Sequence, residues 1–304
     1  MNRLEQLIQT NQLSGKRIII TGCGYSPMHY TFYDVASAEP SHDSITVKDQ
    51  EMKLNIGAAS AAVLASAGAT VHMVSKSEDK LQNIRQQLSS IIDSANIEYS
   101  AIDLLSESEV KRFVHDLPND KPIYWVQSVG LGAGSYKVKD DNPYLPLEQI
   151  DLGLIEAETS TVIRATHLMM KELLPIMRMQ NESKIAIITS MSAIRGYSYG
   201  GTHCTAKGAI DRYANSAMLA LYKDKIYLTT VRPGGVDTGL YDNPTVQEAI
   251  KRVSDEYGCD WRTNGIRLAP PTSVGEAIRY VFTTAAHIPS INIVSKGQFP
   301  NEGS

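Results

Sequence analysis

Short runs of aliphatic and β-branched residues alternate with longer helix-forming stretches along nearly the whole chain, and this alternation restricts the fold more than any other feature. Seven runs read as strands, over residues 17–21, 70–74, 97–102, 123–127, 184–189, 226–231 and 290–294. Between them the pattern predicts helices over 54–67, 79–92, 107–116, 147–177, 202–222 and 274–284, the fourth broken near Gly153. Most of the strand runs are apolar almost throughout. Strands covered by helices on both faces look like that, whereas half-exposed strands alternate apolar and polar residues. Strand, helix, strand in this order demands crossover connections and a parallel sheet. The expected architecture is a doubly wound, seven-stranded parallel α/β sheet in three layers, α/β/α, with one domain over residues 1–304.

Composition removes several function classes. A formal net charge of −4 leaves no basic footprint for nucleic acid. Three cysteines (Cys23, Cys204 and Cys259) are too few and too scattered for a disulfide framework or a zinc site, so a reducing cytoplasm and no metal are expected. The amino-terminal stretch is polar and lacks the apolar core of a signal peptide. No uninterrupted apolar run approaches the ~18 residues that cross a bilayer, so no membrane partner is expected.

The first strand runs into Thr21-Gly22-Cys23-Gly24, and glycines at such a turn let backbone approach a pyrophosphate at the next helix N-terminus. The helix does not follow at once. Residues 25–53 intervene before Leu54-Asn55-Ile56-Gly57-Ala58, which resembles the second half of the same glycine fingerprint. An interruption of this size far exceeds ordinary loops of about 4–6 residues. It contains Tyr25, His29, Tyr30, Phe32, Tyr33 and His42 and could form a lid over a cofactor or shape a substrate mouth. Its histidines and acids lack recognised metal-ligand spacing.

Further along, Ser190 ends an apolar strand and lies thirteen residues before His203, with Lys207 four residues beyond. Together with the split glycine loop, this frame resembles the short-chain dehydrogenase/reductase superfamily, over about residues 15–295. The resemblance implies a Rossmann-like fold and nicotinamide-dependent hydride transfer. It implies that Thr21, Gly22, Gly24, Asn55, Ile56 and Gly57 cradle the pyrophosphate, and that Asp103 and Leu104 meet the adenine. Gln127-Ser128-Val129-Gly130 stands where the family has Asn-Asn-Ala-Gly, which puts Ser128 and Gly130 on the cofactor. Pro233, Gly234, Val236 and Thr238 match the turn that holds the nicotinamide carboxamide. Lys207 would bind the nicotinamide ribose and lower the pKa of the proton donor, and Ser190 would hold the substrate oxygen. At the end of the second strand, where an NAD site carries an acid, this chain has Ser75 and then Lys76. A hydroxyl plus a cation suits a 2′-phosphate, so NADPH is the expected cofactor.

The family places its tyrosine where this chain has His203, and three readings follow. Tyr199 lies eight residues before Lys207, the spacing found in plant-type enoyl-acyl-carrier-protein reductases, which implies reduction of a conjugated enoyl thioester. Alternatively the reaction is carbonyl reduction or alcohol oxidation with His203, or a re-aimed Tyr197 or Tyr199, as the acid. Glu158 or Val162 stands where ketone reductases carry an asparagine, an absence that agrees with the enoyl reading. Third, the chain could bind NADP(H) as a sensor without turnover. The substrate is expected to be a small molecule or an acyl thioester, its pocket shaped by residues 130–145 and 239–261, with a short helix over 245–257. The family resemblance also implies a homodimer or homotetramer built on helices 147–177 and 202–222.

Overall fold

The computed structural model describes residues 3–28, 43–92, 97–130, 145–242, 244–257 and 268–295. Seven strands form one parallel sheet: β1 (Arg17–Thr21), β5 (Thr70–Ser75), β6 (Ile97–Ala101), β7 (Ile123–Gln127), β8 (Ser183–Ile188), β9 (Ile226–Pro233) and β10 (Ser290–Ile293). Their order is β10-β9-β8-β7-β1-β5-β6, so the winding reverses between β1 and β7. Such a switch point opens a crevice at the carboxyl ends of the strands, where doubly wound folds take their ligands.

β1 and β7 are buried at every residue, and successive side chains enter opposite cores, as strands covered on both faces require. Ile18 and Ile20 of β1 and Tyr124 and Val126 of β7 join one core, with α1 (Ile56–Ser66), α2 (Glu78–Ile91) and α7 (Pro271–Thr283). Ile19, Ile123 and Trp125 join the other, with α3 (Glu107–His115), α4 (Leu152–Arg178) and α5 (Gly201–Leu221). Helix α1 lies buried along almost its whole length, with Gly57 through Ser66 out of solvent. Gly275 lets α7 approach it, since a β-carbon there would stand 3.0 Å from Val63. The break expected near Gly153 is real. Asp151 caps α4 with its carboxylate accepting from the Gly153 N–H at 2.7 Å, after a single tight turn at Leu147–Gln149.

The stretch at 25–53 holds strands that the sequence reading did not anticipate. β2 (Tyr25–Pro27), β3 (Ser44–Val47) and β4 (Gln50–Leu54) form a three-stranded antiparallel sheet in the order β2-β4-β3. The expected helix start at residue 54 is corrected accordingly. Leu54 ends β4, Asn55 is the cap, and α1 begins at Ile56. The lid candidates His29, Tyr30, Phe32, Tyr33 and His42 lie outside the described residues.

Candidate active site

The antiparallel stem explains how a split phosphate loop stays intact. Tyr25 pairs with Leu54, so the chain returns to the point where it left. Asn55 then sews the two halves together. Its Oδ1 accepts from the N–H groups of Gly24 (3.1 Å) and Ala58 (3.0 Å), and its Nδ2 donates to the Gly22 carbonyl at 2.8 Å. Asparagine serves because it carries both donor and acceptor, and the bond to Ala58 caps α1. Two glycines are forced by contact. Gly22 has φ +87, and a β-carbon on it would meet the Ser128 carbonyl oxygen at 2.6 Å. One on Gly57 would meet the Gly22 carbonyl oxygen at 2.8 Å. The open first turn of α1 and its dipole therefore face the switch point, ready for an anion.

The Thr21 hydroxyl is spent inside the sheet, donating to the Val126 carbonyl and accepting from the Trp125 indole, both at 3.3 Å. Cys23, beside it, is buried, and burial pushes its thiol up to about 12. At the end of β5 the Ser75 hydroxyl is buried with no hydrogen-bond partner among the described residues. A buried unpaired hydroxyl costs free energy that a ribose or phosphate oxygen would recover. Lys76 reaches Asp103 at 2.9 Å, and this hydrogen bond with the carboxylate charge raises the lysine pKa. Leu104 is buried next to it. The residues present thus fit an adenosine phosphate, a donor-rich turn at one end and a hydroxyl plus a cation at the other.

Three elements bring the candidate catalytic residues together. β8 ends at Ile188, and Ser190 caps the tight turn after it, accepting from the Ser192 N–H at 3.1 Å. α5 presents His203 and Lys207 one turn apart, on the same face. α4 supplies Glu158, which is 2% exposed and accepts or shares a hydrogen bond with His203 Nδ1 at 3.1 Å. Lys207 keeps some accessible surface, yet protein packed around its ammonium desolvates it. Desolvation lowers its pKa, and the Glu158 charge pulls the other way. Gly130 lies against it, since a β-carbon there would sit at an ordinary contact distance of 3.5 Å from Nζ. The Cys204 thiol is raised by burial and is no thiolate partner for His203.

Tyr199 points elsewhere. It has φ +61, a region that bulky residues rarely enter. Its hydroxyl donates to Glu256 and its ring lies 5.4 Å beneath Arg252, both on α6 (Pro244–Tyr257). Tyr197 is exposed. Beside the site, the Ser192 and Thr202 hydroxyls are buried without partners among the described residues.

Asp211, one turn beyond Lys207, escaped the sequence reading. It is 1% exposed and accepts from Thr189 Oγ1 (3.1 Å), Arg232 Nε (2.8 Å) and Arg232 Nη2 (3.0 Å). It thereby fastens α5 to the strand ends that carry Ser190 and the turn at Pro233. In that turn the Gly234 N–H donates to Ile293, and Val236 bridges Ala269. Only its place four residues after the lysine hinted at a role. The substrate-side candidates in 131–144 and 258–267 lie outside the described residues. Among the described residues there is no metal-binding cluster, and no helix is long and apolar enough to cross a membrane.

Comparison with known proteins bears on the family and the fold. Residues 54–249 match the family model described as short chain dehydrogenase. An 87-residue segment is 31% identical to a 3-ketodihydrosphingosine reductase of Bacteroides thetaiotaomicron, covering 29% of this chain and 32% of that protein. The fold is similar to that of an alcohol dehydrogenase from Thermococcus sibiricus complexed with 5-hydroxy-NADP. That match has TM-score 0.66 and 18% identity over 94% of this chain and 98% of the other. It is similar too to an NADPH-bound short chain oxidoreductase from Pseudomonas aeruginosa PAO1 containing an atypical catalytic center. There the TM-score is 0.69, with 15% identity over 96% and 98% of the two chains.

Proposed function

The chain belongs to the short chain dehydrogenase family, and from that premise we propose that it is an NADPH-dependent oxidoreductase that reduces a ketone, using His203 as proton donor. The observation that carries this reading is the contact between His203 Nδ1 and the buried Glu158 carboxylate at 3.1 Å, one helical turn from Lys207. A carboxylate on Nδ1 fixes the ring with its Nδ1–H toward Glu158 and leaves Nε2, on the other edge of the ring, as the nitrogen that donates in the doubly protonated imidazolium form. Histidine replaces the family's tyrosine as acid and Glu158 takes over the task of orienting it.

When bound, the reduced nicotinamide supplies hydride to the carbonyl carbon. Ser190 holds the carbonyl oxygen, and His203 gives it the proton that balances the incoming hydride. Lys207 adds positive charge beside the oxygen as it becomes an alkoxide. Ser192 and Thr202 offer further hydroxyls to a polar substrate. NADPH is preferred because Ser75 and Lys76 stand where a carboxylate would repel a 2′-phosphate. A reductase of a 3-keto compound and an alcohol dehydrogenase complexed with a 5-hydroxy-NADP are among the similar proteins, which favours carbonyl chemistry.

The enoyl reading keeps one observation, the eight-residue spacing from Tyr199 to Lys207. Against it, Tyr199 gives its hydroxyl to Glu256 and braces α6. The test is NADPH oxidation with a β-keto thioester and the matching enoyl thioester. Turnover of the ketone with the enoyl compound inert supports the proposal; the reverse sinks it. We also carry forward a homo-oligomer, since Leu152 of α4 and Leu219 of α5 stand exposed. Light scattering at micromolar concentration would decide between monomer and dimer.

A further inference from the structure

Segment 43–54 ties together two distant parts of the cofactor edge. Lys53 of β4 is 1% exposed, and its Nζ lies 2.8 Å from Asp237 Oδ1 and 3.1 Å from Asp242 Oδ2. Both carboxylates are buried. Asp237 belongs to the turn after β9 that the family resemblance assigns to the nicotinamide, and Asp242 to the short turn Leu240–Asp242 that follows. Gly239, at φ +82, presses this segment against β2, since a β-carbon there would stand 3.1 Å from the Ser26 β-carbon. A third tie comes from Asp43. It is buried and accepts from the N–H of Thr272 at 2.6 Å and from its hydroxyl at 3.2 Å, capping α7 from outside the helix.

Two residues after Lys53 comes Asn55, which stitches the phosphate loop. Residues two apart on an extended segment face the same side. One short stretch of chain thus grips the pyrophosphate end of the crevice with one side chain and the nicotinamide end with another. An ammonium between two buried carboxylates is also directional. Without it the two acids repel one another and drive their segments apart.

We propose that Lys53 is a positioning residue, which holds the 233–242 segment in register with the phosphate loop so that both ends of the dinucleotide meet a prearranged crevice. The proposal rests on the NADPH reading. Its consequence is a selective one. Ligands that reach only the phosphate loop do not feel Lys53, whereas ligands that extend to the nicotinamide do.

The experiment is calorimetric titration of the wild type, Lys53→Met, Lys53→Arg and Asp242→Asn with NADPH and with 2′-phospho-ADP-ribose, which lacks the nicotinamide. Steady-state kcat with the best ketone accompanies it. Lys53→Met is expected to bind the fragment within about twofold of wild type but NADPH about tenfold more weakly, with a lower kcat. Lys53→Arg should recover most of the NADPH affinity. Should Lys53→Met fail to fold, Asp242→Asn carries the test, since it keeps the contact to Asp237. It should show the same selective loss at smaller size. Equal weakening of both ligands, or of neither, overturns the proposal. A wild type that binds neither ligand overturns the NADPH reading itself, and that result is distinct from either.

Discussion

Two lysines flank the crevice, one buried and one partly exposed, and they are built in opposite ways. Lys53 sits between two carboxylates at hydrogen-bonding distance. Lys207 has no carboxylate in contact among the described residues, only the through-space pull of Glu158 against dense packing that lowers its pKa. A lysine saturated by acids is a strut, because its charge is fully answered by protein. A lysine left electrostatically unsatisfied stands ready to answer charge that develops on something else. The difference shows how one fold spends the same side chain on architecture and on chemistry, and why the second costs stability that the first does not.

Each side of that comparison can be broken. The largest expected effect is at the catalytic end. Replacing His203 by Phe should cut ketone turnover by about 10²–10⁴, the usual worth of a positioned general acid, with NADPH binding retained in fluorescence titration. Next comes the clamp under the catalytic helix. Asp211→Ala leaves the guanidinium of Arg232 without its bidentate partner and should cost about 3–5 kcal/mol in urea unfolding. A loss below 1 kcal/mol would show that α5 is held by its apolar face alone.

The pH dependence of stability separates the two lysines directly. The folded-state pKa of Lys207 is lowered by desolvation, so the unfolded chain binds more protons between that lowered value and 10.5. Stability should therefore rise with pH across that window. Lys207→Met should lack this rise and be more stable than wild type at neutral pH, while losing turnover. A variant less stable than wild type at pH 7 would mean that Lys207 is a second strut. The smallest effect is expected at the surface. Lys76→Ala should raise KM for NADPH by about tenfold and leave NADH unchanged, because a charge-assisted contact to the 2′-phosphate is lost.

The sequence revealed the fold wherever the signal was local. β1 and β7 are short, largely apolar runs buried throughout, and a run of that kind has few other structures open to it. Asn55 was legible because it sits in register with a glycine fingerprint, even across the interruption. β2 to β4 were not. Gln50-Glu51-Met52-Lys53-Leu54 reads as a polar loop, and its strand character depends on pairing with β2 and β3. Lys53 looks like any surface lysine until Asp237 is found beside it, 184 residues away. Asp43 caps a helix 229 residues distant. Glu158 was identified as one of two residues aligned with an asparagine, and only the packing of α4 on α5 brings it to His203. Periodicity encodes what a residue does to its neighbours in sequence. It carries nothing about a buried ion pair closed by tertiary folding.

The central claim, that histidine has taken over the acid's place in this frame, is tested most directly by ketone turnover in three variants. The account predicts that His203→Phe is inactive, that His203→Tyr recovers activity by restoring the family's acid, and that Tyr199→Phe stays active. Full turnover in His203→Phe together with its loss in Tyr199→Phe would contradict the account and return the proton to the tyrosine.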